Sequence, residues 1–376
     1  MPYKTDVIWL TQKLLRFNTI NPPGNERPCA EYLGNILKNA GFGVKYHEFA
    51  PDRTGLVAIK GGCEGKKPLC LAGHIDTVPL GTAPWQQDPF SGGIFHDKLY
   101  GRGSSDMKSG IAAIITAAVE LADRLDGTAG LCLILVAGEE TGCEGSAYLA
   151  GLEGETGEAG ALIVAEPTGN LPVIGHKGAL WLRVVTQGIT AHGSMPEKGD
   201  NAVIKAAAAV MKLNQFDFGV PPHPHLGKPT LNIGTIAGGI NVNSVPDEAV
   251  IGIDIRTIPG MDHKVLVRQL REYLEPGIGF SSMKNAKGLW TDPSHPWIQE
   301  IYDILTPVTG SKPGIETAPY FTDAGFLAPA FGNIPTVIMG PGEASQAHQT
   351  DEYCYVERIH QAVEIYMSIV IKWCDL

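Results

Sequence analysis

Four short apolar runs constrain this chain more than any other feature: LCLAGHID (69–76), LCLILVAGEE (131–140), ALIVAEP (161–167) and PTVIMGPG (335–342). Each is nearly unbroken in Leu, Ile and Val, and each ends in Gly, Pro or an acid. A strand with one wet face alternates apolar and polar residues, whereas an unbroken run needs cover on both faces. Cover of that kind comes from helices. The segment MKSGIAAIITAAVELADRL between the first two runs, and the stretch from Val356 to the end, have helical length and period. The predicted class is therefore α/β, a mostly parallel sheet flanked by helices.

The pattern changes from about Leu180 to about Met283. ALWLRVVTQG, NAVIKAAAAVMKLNQF, TLNIGTIAGG, AVIGIDIRTI, HKVLVRQLREYL and GIGFSSM read in order as β, α, β, β, α, β. That order predicts a ferredoxin-like α+β domain. Its strands alternate, as a sheet with one exposed face should. HPWIQEIYDILTPVTG then predicts a helix, and PTVIMGPG returns to the first sheet. The expected division is 1–179 and 285–376 for a catalytic domain split around an insert of 180–284. A chain of 376 residues exceeds what one core usually supports, which agrees with two domains.

Forty acids against 29 bases give a formal charge of -11 with no long run of either sign. That balance argues against nucleic acid or an anionic membrane as a partner and favours a small-molecule substrate. The seven cysteines are scattered, odd in number and without a CxxC pair, which predicts reduced thiols and a cytoplasmic protein. Cys70 and Cys132 fall in apolar runs and read as small core residues. MPYKTDVIWLTQKLLRF has the spacing of an amphipathic helix and lacks the features of a signal peptide. The longest apolar helical stretch, IAAIITAAV, is well short of the ~20 residues of a membrane span.

The side chains that bind metals fall at the ends of the runs. His74 and Asp76 close the first, Glu139 and Glu140 the second and Glu166 the third, while His348 follows the fourth. In open α/β sheets the ligand crevice lies outside the carboxyl ends of the strands, so distant segments deliver these groups to one rim. Asp106, in GRGSSDMKSG at the start of the first helix, completes the set. Two imidazoles and three carboxylates suit zinc but are too many for one four-coordinate ion with an open position, so two metals are implied. A shared carboxylate holds such a pair ~3.5 to 4 Å apart, close enough for one water between them. Asp106 is assigned that place.

Adjacent residues leaving a strand point to opposite sides. Glu140 is therefore assigned to the metal and Glu139 to the proton, as general base. Asp76, two residues from His74 on the same strand face, is placed to accept the second imidazole N–H. His192 in TAHGSMP is a candidate for polarising the scissile carbonyl. Asn243 in GGINVNSVP and Arg256 in DIRT are predicted on neighbouring strand segments, where Arg suits bidentate recognition of a carboxylate. Each assignment has a plain alternative. His74 fits a structural histidine, Asp106 a helix N-cap, Glu139 and Glu140 a solvated pair, Asp76 a surface turn, His192 an exposed loop residue and Arg256 an ordinary salt bridge.

GHIDTVP, YGRGSSDMKSG, GEET, the Glu in VAEPT, GHKGALW, TAHGSMPEKGDNAV, GGINVNSVP and GPGEASQAHQTDEY, in this order, resemble the zinc aminoacylase and carboxypeptidase family, in particular its acetylornithine deacetylase and succinyl-diaminopimelate desuccinylase group. The resemblance implies a di-zinc exopeptidase-like fold. It implies His74 and Glu166 on one zinc, Glu140 and His348 on the other, Asp106 between them and a cis peptide after Asp106. It further implies that Asp76 supports His74, and that His192 is delivered by the partner of a homodimer formed through the inserted domain. Asn243 and Arg256 match the positions that bind the substrate carboxylate. At ETAPYFTDAGFL, Thr322, Asp323 and Ala324 are closer to the deacetylases than to the Gly-rich desuccinylases, and Thr322 is carried over as a substrate contact. GHKGALW points the same way. The expected activity is hydrolysis of an N-acyl-L-amino acid, with zinc, cobalt or manganese suiting the donors. A metallo-exopeptidase with the same metals and base is the nearest alternative. A non-catalytic metal-binding homologue is a second, against which Glu139 speaks, and a phosphoester hydrolase lacks the basic clamp it needs.

Overall fold

The structure, a computed structural model, describes residues 5–274 and 276–376. The first four residues of the predicted N-terminal helix lie outside the described residues. The helix itself spans Val7–Leu15, with the Asp6 carboxylate capping the N–H groups of Ile8 and Trp9 at 2.9 and 3.1 Å.

The chain separates into two compact units. One comprises residues up to Gly175, Trp290–Glu316 and Thr322–Leu376, and the other His176–Leu289 with Thr317–Phe321. These limits differ by a few residues from 180 and 284. The strands Val173–His176 and Leu289–Trp290, too short to read from pattern, pair into the larger sheet just where the chain enters and leaves the second unit.

The first unit is built on a nine-stranded sheet. At its centre Leu131–Val136, Leu69–His74, Ala161–Val164 and Thr336–Ile338 lie side by side and parallel. All four are buried along their whole length, as unbroken apolar runs require. The register matters for the site. His74 pairs with Val136 and Ala72 with Val164, so Glu166, two residues beyond Val164, comes level with His74. The hairpin of Gly43–Ala50 and Arg53–Lys60 closes one side antiparallel.

The helix Lys108–Leu121 is buried nearly all round, which marks it as a core helix rather than a surface one. It packs on Val7–Leu15, on Val356–Cys374 and on the sheet. Gly110 lets its first turn press onto the sheet, because a Cβ there would stand 2.3 Å from the Ala165 carbonyl oxygen. A small sheet of Ile94–Phe95, Lys98–Tyr100 and Tyr353–Tyr355 ties the segment before the GRGSSD loop to the segment after His348.

In the second unit Thr230–Gly238, Glu248–Thr257, Gly178–Gln187 and Gly279–Ala286 form an antiparallel sheet in that order. With the helices Ala202–Leu213 and His263–Tyr273 this is the split βαβ arrangement. Glu248–Thr257 alternates strictly in burial, and its inner residues Ile251, Ile253 and Ile255 pack with Leu182, Ala206 and Leu266. Among the described residues no helix is long and apolar enough to cross a membrane.

Candidate metal centre

Four parallel strands bring their carboxyl ends to one rim, and the predicted ligands meet there. His74 Nε2 stands 3.1 Å from Asp106 Oδ1 and 3.8 Å from Glu166 Oε2. His348 Nε2 stands 3.0 Å from Glu140 Oε2 and 3.5 Å from Asp106 Oδ2. The two oxygens of Asp106 thus face different imidazoles. The ligand atoms of His74, Asp106 and Glu140 all lie within 4.8 Å of one another, close enough to share one ion. His74 and Glu166 are buried, while the His348 side chain is 55% exposed on the open side.

Asp106 does not cap the helix that follows. Met107 holds the N-cap position without a side-chain hydrogen bond, and the Asp106–Met107 peptide is cis. What orients the loop is Glu352, fully buried four residues after His348. Its Oε1 accepts the N–H groups of Ser105 and Asp106 at 2.7 and 2.9 Å. Its Oε2 accepts Gly103 N–H at 2.9 Å and Arg102 Nη1 at 2.7 Å. Sequence reasoning missed Glu352 and Arg102. The available signal was an acid and a base of complementary charge, each inside a quoted motif.

Asp76 supports the rim in more ways than predicted. Its backbone carbonyl is the nearer partner of His74 Nδ1, at 3.1 Å, and its carboxylate oxygen stands at 3.5 Å. The carboxylate mainly accepts the backbone N–H groups of Glu139 and Glu140, at 3.1 and 3.2 Å, and Asn21 Nδ2 at 2.9 Å. It therefore fixes the turn from which those two glutamates depart. They do depart to different partners, Glu140 to His348 and Glu139 Oε1 to the thiol of Cys143 at 3.3 Å.

The electrostatics describe a site short of positive charge. Burial pushes Glu166 and Glu139 well above the ordinary carboxyl range, against the pull of His74. Burial and the neighbouring Asp106 raise Glu140. For Asp106, burial opposes ionisation, but His348 and His74 outweigh it and hold the carboxyl well below its usual value. Asp106 and Glu140 in turn raise His348 to about 10. Burial pulls His74 down, yet Asp106 and Asp76 prevail and the net shift is upward. Glu140 Oε1 is buried without a hydrogen-bond partner among the described residues. A buried acceptor in a carboxylate-rich cluster beside two imidazoles fits a divalent cation, and the nitrogen and oxygen donors suit zinc.

The second unit holds the other candidates. His192 is exposed, and its Nδ1 accepts the backbone N–H of Ser194 at 3.2 Å, so in the neutral ring the proton sits on Nε2. Asn243 lies in a turn rather than on a strand, because the chain leaves its ladder at Gly238; its carbonyl accepts Gly193 N–H at 2.7 Å, beside His192. Arg256 is already in an ion pair, with Nε and Nη2 at 3.1 and 2.9 Å from Asp254 Oδ2, and lies over the Phe321 ring. Thr322, in the first unit, is 1% exposed, and its hydroxyl accepts the N–H of Ala324. The expected substrate contact thus sits in the protein interior, just before the helix Ala324–Ala330, whose N-cap is Asp323.

Two imidazoles and three carboxylates gathered at the carboxyl rim of an α/β sheet make a centre that can hold divalent metal. The family model of Peptidase family M20/M25/M40 matches residues 70–372. Acetylornithine deacetylase of Vibrio campbellii is 30% identical over 366 residues, covering 92% of this chain and 91% of that protein. Among solved structures, an M20 family metallo-carboxypeptidase from Sulfolobus solfataricus superposes with a TM-score of 0.78 at 18% identity, over 99% of this chain and 100% of that one. The aminopeptidase PepT from Bacillus cereus gives a TM-score of 0.75 at 20% identity over 98% of both chains. The chain belongs to Peptidase family M20/M25/M40 and is a metal-dependent amide hydrolase.

Proposed function

We propose that the protein hydrolyses the linear amide bond of an N-acyl-L-amino acid with two divalent metal ions, zinc first among them. The observation that most supports two ions is Asp106, whose oxygens face His74 at 3.1 Å and His348 at 3.5 Å. His74 and Glu166 would hold one ion, Glu140 and His348 the other, and Asp106 both. When bound, such a pair supplies Lewis-acid polarisation of the amide carbonyl and makes water easier to deprotonate.

The residues of the chain do the rest. Glu139, beside the ligand Glu140 but directed away from it, takes a proton from the attacking water. It returns that proton to the leaving nitrogen as the carbon–nitrogen bond breaks. Asp76 keeps the two glutamates apart by holding both of their N–H groups. His192, with its proton on Nε2, is the donor to the developing oxyanion. Asn243 and Arg256 take the substrate carboxylate, and Asp254 holds the guanidinium in place. An acetyl group is favoured, because a relative that resembles this chain over most of its length is an acetylornithine deacetylase. The same reading makes the enzyme a cytoplasmic homodimer joined through the second unit, and its seven free cysteines support the cytoplasmic part.

The test is turnover by zinc-reconstituted enzyme of N-acetyl-amino acids, acetylornithine, succinyl-diaminopimelate and dipeptides, with Glu139→Gln in parallel. Turnover of an acylated amino acid that falls by about 100- to 10,000-fold in the variant is the expected result. Cleavage of peptides alone makes the protein an exopeptidase instead.

A further inference from the structure

Behind Glu139 lies a buried cluster of polar side chains outside the predicted metal ligands. The turn from Glu139 to Cys143 closes on itself, the Glu139 carbonyl accepting the N–H groups of Gly142 and Cys143 at 2.7 and 2.8 Å. Cys143 sits in the left-handed region, φ 60°, at the N-cap of the helix Glu144–Ala150. A non-glycine residue rarely adopts this conformation, and here it turns the thiol back onto the carboxylate four residues earlier. Sγ stands 3.3 Å from Glu139 Oε1 and is fully buried. Beyond the thiol, Ser146 Oγ donates to Asp323 Oδ1 at 2.6 Å, and Asp323 is also fully buried. The thiol therefore lies between the carboxyls of Glu139 and Asp323. Burial and these acids push it well above its ordinary pKa, so it is a neutral S–H donor.

A general base needs a fixed carboxylate plane and one oxygen free for the proton it shuttles. We propose that Cys143 is the positioning residue for that base: its S–H donates to Glu139 Oε1 and leaves Oε2 to carry the proton from water to the leaving nitrogen. The proposal rests on Glu139 being the base. Its group is a thiol, where a hydroxyl would serve the same geometry.

The test compares Cys143→Ala and Cys143→Ser with the parent enzyme in kcat, KM and bound zinc. Losing one hydrogen bond to a buried carboxyl predicts a kcat lower by up to about ten-fold in Cys143→Ala, from the typical worth of such a bond. KM and zinc content should hold, and Cys143→Ser should recover most of the lost rate. A kcat in Cys143→Ala within two-fold of the parent overturns the proposal, as does a loss that tracks lost zinc. Glu139→Gln separates the two levels: if it stays active the base assignment fails, and if it is dead while Cys143→Ala is unaffected only the thiol's role fails. A second measurement needs no alanine variant. The S–H infrared band that disappears in Cys143→Ser should move to higher frequency in Glu139→Gln, since an amide is a weaker acceptor than a carboxylate. An unmoved band overturns the hydrogen bond.

Discussion

Replacing Glu352 with Gln keeps the shape of the side chain and changes only what its second oxygen offers. The carbonyl of the new amide can stand where Oε1 stood and still accept Ser105 and Asp106 N–H. Its NH2 group then faces Gly103 N–H and Arg102 Nη1, donors against a donor, where Oε2 accepted both at 2.9 and 2.7 Å. Removing one partner of a buried ion pair costs about 3 to 5 kcal/mol, because the other charge is left without compensation. Arg102 keeps the Pro79 carbonyl at 3.3 Å and the Trp85 ring at 5.1 Å, which places the expected loss near the lower end, about 3 kcal/mol. Urea unfolding of metal-free protein measures it directly. Arg102→Met should cost a similar amount, and the double variant should cost clearly less than the two combined, because it leaves neither charge stranded. A loss below about 1 kcal/mol for Glu352→Gln refutes the reasoning, as does simple additivity to within about 0.5 kcal/mol.

Other consequences are more direct. Asp76→Asn offers one oxygen to two backbone N–H groups and should weaken zinc binding by about 10- to 100-fold, the usual cost of losing a carboxylate behind a metal ligand; equilibrium dialysis checks it. Chelation should abolish turnover and added zinc restore it, while a fully active zinc-free protein would exclude the metal reading. His176, fully buried with its Nδ1–H on the Lys177 carbonyl, is pulled down by burial from 6.5 to about 4. The unfolded chain therefore binds its proton more readily, and the associated stability is present above pH 6.5 and is lost as pH falls towards 4. His176→Asn should remove up to about 3 kcal/mol of that acid loss, read as the difference in urea midpoints at pH 7.5 and 4.5.

The central sheet was legible because each strand must be apolar on both faces, a demand that local composition records. LCLILV and ALIV carry it without interruption and are buried throughout. The flanking strands were less legible for the opposite reason. Gly43–Ala50 is half exposed and mixed in character, and Leu289–Trp290 is two residues long, so pairing partners rather than composition decide their fate. Thr317–Phe321 joins the second unit through contacts such as Phe321 with Trp181, at 6.0 Å between ring centroids, a relation across more than a third of the chain that no window contains.

The candidate site divides along the same line. Ligand types announce themselves, since His and Glu at the end of an apolar strand have few structural reasons to be there. The groups that aim them do not, and Asp106 shows why. Read locally, an Asp just before a helix is a cap, because the first-turn N–H groups lack partners and a carboxylate is the usual answer. In the folded protein Glu352, 246 residues away, takes the N–H groups of the preceding loop. Asp106 can therefore turn both oxygens to the imidazoles instead of to its own backbone. The helix pays nothing visible for the missing cap, since its first turn is buried against the sheet and Lys108 reaches back to the Phe17 carbonyl at 2.9 Å. A local rule was outweighed by a distant acceptor, and that acceptor is a glutamate whose own sequence context, HQTDEY, looks like any polar turn. The supports of a metal site are hidden in sequence for this reason: their chemistry is the ordinary hydrogen bonding of backbone, and only the fold reveals which backbone they hold.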